Sequence, residues 1–95
     1  MEFEFTGVLW YWKGPAPFHF VSVPKDESAE IAAVAASVTY GWGMIPVEAV
    51  IGETIWMTSL FPKGDIYIVP IKKSVRDTED LQLEESITIK LRLSN

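Results

Sequence analysis

The sequence predicts a mainly β fold with a minor α component. It is read as a small barrel built from two pseudo-repeated halves of order β-turn-β-Pro-α-β, with one packed helix over about residues 25–40. Three observations carry this reading. Short apolar runs recur between glycine and proline turn signals. One stretch, Lys25 to Tyr40, has the composition and spacing of a substantial helix. The two halves, about 3–51 and 54–93, share one element order, with HFVSVPK at His19–Lys25 lying over IYIVPIK at Ile66–Lys72. Two such halves related by an approximate two-fold would intertwine and close the sheet edges within one chain.

Each element has its own signal. In Glu2–Trp12, Phe3 and Phe5 alternate with Glu2, Glu4 and Thr6, giving one wet and one dry face. After Gly7 the run Val8-Leu9-Trp10-Tyr11-Trp12 is apolar on both faces, so the glycine marks a bulge or a sharp coil. Trp10, Trp12 and Trp56 are placed in the barrel interior. Phe18–Val23 is a second strand, stopped by Pro24. In the helix, Asp26 or Ser28 is the expected cap, and Ile31, Val34, Ala35 and Val38 form the stripe that faces the sheet. Gly41 is its left-handed stop.

Met44–Ile51 is a third strand, and Gly52-Glu53 turns into a fourth, Thr54–Phe61. Phe61-Pro62-Lys63-Gly64 has the proline and glycine positions of a type I turn. Asp65–Val69 follows, ended by Pro70, and Ile71–Leu83 has room for a helical turn. Ser86–Leu93 alternates Ile87, Ile89, Leu91 and Leu93 with polar partners.

Composition narrows the function classes. Ninety-five residues make one domain over 1–95. The absence of cysteine removes disulfides, thiolate metal sites and cysteine nucleophiles. The chain is 48% hydrophobic, yet no window nears the ~20 apolar residues of a membrane helix. MEFEFTG is acidic and strand-like rather than a signal peptide, so a cytoplasmic location is expected. A net charge of −5 argues against nonspecific nucleic-acid binding, which relies on cations neutralising phosphates. No cofactor and no metal are expected, and the chain is expected to be a monomer.

GWGMIPV at Gly41–Val47, followed by IGETIWMTSLFPKGDIYIVPIKKSVR at Ile51–Arg76, resembles the family of domains of unknown function numbered 1905. The amino-terminal Phe-x-Phe and the FVSVP segment also fit, so the resemblance covers nearly the whole chain. It implies a double-split β-barrel akin to the AbrB/MazE-like architecture and, for function, little beyond an accessory module. The chain departs from the family pattern at Phe18-His19, where a tryptophan is common, and at Glu84-Glu85-Ser86, where Gly-Asp is usual.

The candidate site is a basic cluster. Lys63, Lys72, Lys73 and Arg76 are half of the eight basic residues. If the turn after Pro70 is helical, Lys72 and Arg76 share a face. With the Thr58 and Ser59 hydroxyls they would hold a carboxylate or phosphate. Trp42, between two glycines, is either packed on the helix end or a stacking platform. The ligand-binding candidates are thus Trp42, Thr58, Ser59, Lys63, Lys72 and Arg76. The competing structural reading pairs these bases with Asp77, Glu79, Asp80 or Glu84. His19 is the only histidine, set between Phe18 and Phe20, and is read as a sheet-face residue rather than a catalyst or ligand. The favoured expectation is a non-catalytic binding or accessory module for a small anion or a partner protein. A DNA-binding regulator, by fold analogy, and an enzyme stand behind it.

Overall fold

In a computed structural model, which describes residues 1–15, 18–35 and 43–93, the chain forms a closed antiparallel barrel. The strands are β1 (Glu2–Trp12), β2 (Phe18–Ser22), β3 (Ile45–Ile51), β4 (Thr54–Lys63), β5 (Ile66–Pro70) and β6 (Ser86–Leu93). They close in the order β1-β2-β5-β4-β3-β6. Among the described residues two helices interrupt them, α1 (Lys25–Ala35) and α2 (Lys73–Thr78).

Two strands, β1 and β4, change partner along their length. β1 pairs with β6 from Glu2 to Val8, then with β2 from Leu9 to Trp12. The switch falls between Val8 and Leu9, just after the glycine that breaks its alternation. A Cβ on Gly7 would lie 2.6 Å from Val21 Cγ1 and 2.9 Å from the Ser22 carbonyl oxygen, so only glycine lets β1 approach β2 there. β4 pairs with β3 from Thr54 to Leu60 and with β5 from Phe61 to Lys63.

The alternating positions fill the interior. Val21, Val47, Leu60, Val69, Ile89 and Leu91 are fully buried in one cluster with Leu9, Ile45 and Ala49. Outside, Arg92 bridges Glu2 and Glu48 across three strands, at 2.9 and 2.6 Å.

Several expectations need correction. The β4–β5 turn is the two-residue loop Gly64-Asp65, with Gly64 at φ +62°, not a type I turn around Pro62. Pro62 lies within β4 opposite Tyr67, past the last pair with β3, where a missing N–H breaks neither ladder. α1 begins directly after Pro24, and neither Asp26 nor Ser28 caps it. Ser28 is buried and donates its hydroxyl to the Val23 carbonyl while accepting from Tyr67 N–H. Ile31 and Ala35 face the core, but Val34 is exposed. Residues 36–40, the expected end of the helix, lie outside the described residues. The helical turn expected after Pro70 is present as α2, so the described residues hold two helices rather than one. Of the tryptophans on β1 and β4, only Trp56 points into the core; Trp10 is half-buried and Trp12 exposed, on the outer face with Phe20. Glu84, where Gly-Asp is usual, stands at φ 67°, a conformation that suits glycine.

Candidate functional site

The register of β4 creates a gap. Its ladder with β5 runs only from Lys63–Ile66 to Phe61–Ile68. Beyond that pair β4 turns to β3, and β5 runs on through Pro70 toward α2. A cleft of about 490 Å³ opens between Trp56, Met57 and Thr58 on one side and Pro70, Ile71 and α2 on the other. The loop end of the β1–β2 hairpin, with Tyr11, Phe18 and His19, forms the third wall.

The floor is apolar and the rim cationic. Trp56 and Ile71 are buried in the core, and Tyr11 stacks at a tilt on His19 with ring centroids 5.0 Å apart. Lys72, Lys73 and Arg76 supply the charge. Lys73 is neutralised by Asp77 at 2.6 Å, an exposed pair one helical turn apart. Lys72 and Arg76 have no carboxylate partner among the described residues. Arg76 instead donates from Nη1 to the Ile71 carbonyl at 2.7 Å, which fixes the guanidinium at the cleft. Of the pairings set against a binding role, only Asp77 takes up a base of the cleft; Glu79 accepts from the Thr54 hydroxyl instead.

Burial, and then the Arg76 charge, hold the His19 pKa below its ordinary value. At neutral pH the imidazole is therefore neutral, with one nitrogen able to donate a hydrogen bond and the other to accept one. No cluster of three or more histidine and carboxylate groups among the described residues could hold a metal ion.

The structure thus brings together three predicted residues, Thr58, Lys72 and Arg76. Ser59 follows Thr58 in β4 opposite Pro46 and does not line the cleft. Lys63 belongs to a separate outer groove of about 360 Å³ with Trp12, Phe20 and Phe61. Trp42 lies outside the described residues. Sequence reasoning missed Tyr11 and Trp56 as lining residues and set His19 aside. The signal for the pair Tyr11–His19 was present in the hairpin: counting back from Leu9–Val21, which bury together, puts both one step outward on the interior face.

No helix among the described residues is long and apolar enough to cross a membrane. No curated protein is similar to this chain. A model of the domain of unknown function DUF1905 matches residues 5–91, and the chain belongs to that family.

Proposed function

We propose that the protein is a non-catalytic binding or accessory module that takes a small anionic ligand in the cleft between β4, α2 and the β1–β2 hairpin. One observation carries the reading: Lys72 and Arg76 converge with Thr58 on an apolar, concave site and are paired with no carboxylate among the described residues. Surface bases commonly meet an acid or stand alone in water, whereas here they edge a hollow. The module works as a cytoplasmic monomer on this proposal. Docking of a partner protein is the second reading, favoured by exposed Trp12, Phe18 and Phe61 around the outer groove. DNA binding draws no such support in a chain of net charge −5.

The same proposal takes the single domain to be a double-split barrel of two pseudo-repeated halves. Exchanging β1, β2 and β3 for β4, β5 and β6 maps the strand order onto itself. The pairs Val21–Val69 and Ala49–Leu91 would lie on the two-fold axis. The hydrogen bonds Val23 N–H to Tyr67 O and Ile71 N–H to His19 O, both 2.9 Å, would exchange with one another. That offset places His19 over Tyr67, one residue on from the alignment of His19 with Ile66.

A thermal-shift screen with phosphate, nucleotides and carboxylates tests the anion reading. Ligand at tenfold over Kd adds about 1.4 kcal/mol, or a rise of roughly 6–11 °C for a domain of this size. No stabilisation by any anion at millimolar concentration removes the proposal.

A further inference from the structure

The two halves of the barrel end differently, and the difference points to a ligand class. This inference rests on the anion-binding and two-fold readings above. The offset that exchanges Val23 with Ile71 also exchanges Lys25 with Lys73, the first residues of α1 and α2, and Ser28 with Arg76. Ser28 donates to the Val23 carbonyl, and Arg76 to the Ile71 carbonyl. The two side chains make the same bond in the two halves, one short and buried, the other long, with guanidinium N–H groups to spare.

The surroundings diverge in the same sense. Around Ser28, the counterparts of Tyr11, Phe18 and His19 are Pro62, Ile66 and Tyr67, and they leave a hollow of only about 190 Å³. Phe5, buried, occupies the place that Thr58 takes in β4, as the matching pairs Phe5–Ile89 and Thr58–Val47 require. α1 continues to Ile31, which is fully buried. α2 stops at Thr78, and Glu79, the counterpart of Ile31, accepts from the Thr54 hydroxyl. One half is therefore filled by a phenyl ring and an isoleucine. The other has Thr58 in place of the ring, and is open to about 490 Å³ with an arginine at its edge.

We infer that the cleft takes a monocarboxylate on an aromatic or bulky apolar body. The body occupies the space beside Thr58 that the Phe5 ring fills in the other half, against Trp56 and Ile71. The carboxylate meets the free edge of the Arg76 guanidinium, with Lys72 and Thr58 beside it. A planar carboxylate matches the guanidinium fork. A phosphate dianion has two more oxygens and a second charge, which the apolar floor would leave without donors.

The test is calorimetric titration, at fixed ionic strength, with 1-naphthoate, its neutral amide and inorganic phosphate, with amide-shift mapping by NMR. Naphthoate is expected to bind about tenfold or more tighter than the amide, as a charge-assisted hydrogen-bonded pair requires. Arg76→Ser, which installs the residue of the other half, is expected to weaken naphthoate by about tenfold or more, and Arg76→Lys to restore only part. Lys25→Ser, which removes a base held by Asp65 at the head of α1 and outside the cleft, is expected to change it by less than about threefold. Equal binding of acid and amide, or undiminished binding by Arg76→Ser, overturns the inference. Phosphate binding more tightly than naphthoate overturns the carboxylate class and leaves the anion-binding proposal standing. No anion binding at the cleft removes both.

Discussion

Replacing Gly7 by alanine puts a methyl group where the barrel has no space. The new Cβ would lie 2.6 Å from Val21 Cγ1 and 2.9 Å from the Ser22 carbonyl oxygen. Val21 is fully buried and is paired with Leu9 on one side and Val69 on the other, so it has nowhere to turn. The carbonyl belongs to the backbone of β2, and only a movement of the strand relieves the clash. Overpacking of this kind costs about 1–3 kcal/mol, and two simultaneous contacts, one with backbone, place Gly7→Ala near 2–3. The reduced freedom of the unfolded chain returns about 0.4–1 kcal/mol. The net loss, about 1–2.5 kcal/mol, corresponds to a Tm lower by roughly 4–20 °C in a domain of this size. Thermal unfolding followed by tryptophan fluorescence measures it. Gly64→Ala is the contrast, because nothing lies within 4 Å of its Cβ and only the φ of +62° resists the change. A Gly7→Ala protein as stable as the parent would show that the β1–β2 junction is not closed by direct contact.

Three further outcomes follow from the same geometry. Ser28→Ala leaves the Tyr67 N–H and the Val23 carbonyl without their shared partner and should destabilise by about 1–3 kcal/mol in urea titration, with m unchanged. Glu84→Gly relieves a left-handed residue at φ 67° and should raise stability by roughly 0.5–1 kcal/mol, after the greater freedom of glycine in the unfolded chain is set against it; a fall in Tm contradicts that account. The His19 ring should titrate by NMR with a midpoint below 6.5, because burial first and the Arg76 charge second disfavour the imidazolium. Its folded pKa is depressed, so the unfolded chain holds the proton more readily. The stability it contributes is complete above pH 6.5 and is lost as pH falls through the folded value. Arg76→Ser should move the midpoint part of the way up, and a parent midpoint at or above 6.5 contradicts the placement of the ring.

What was legible in the sequence was mostly what alternation and glycine determine. Ser86–Leu93 and Ile45–Ile51 have a clean period of two, and their buried residues are the predicted ones. Gly7 and Gly52 mark a partner switch and a tight turn. Pro62 misled because proline beside glycine is a turn signal, and only the register shows that its nitrogen is needed by neither neighbour. Val34 misled because a helix stripe can be read with either of two adjacent edges, and the sheet beneath chooses Ile31 and Ala35. Trp12 and Trp56 could not be told apart by hydrophobicity, since both sides of β1 carry aromatics beyond Gly7. The basic cluster was visible as a local run. Trp56 was not, because it reaches the cleft only through strand pairing; Tyr11 and His19 were legible as a cross-strand pair of the hairpin but not as a wall of the cleft.

The central claim is that the opening between β4 and α2 is a binding site rather than a gap in packing. Amide-shift mapping by NMR during titration of the full chain with 1-naphthoate tests it most directly. The account predicts saturable shifts confined to residues at the cleft, foremost His19, Thr58, Ile71 and Arg76, with the Ser28 hollow and the Lys63 groove unmoved. Shifts centred on Trp12, Phe61 and Lys63, or no saturation at any residue of the cleft, would contradict it.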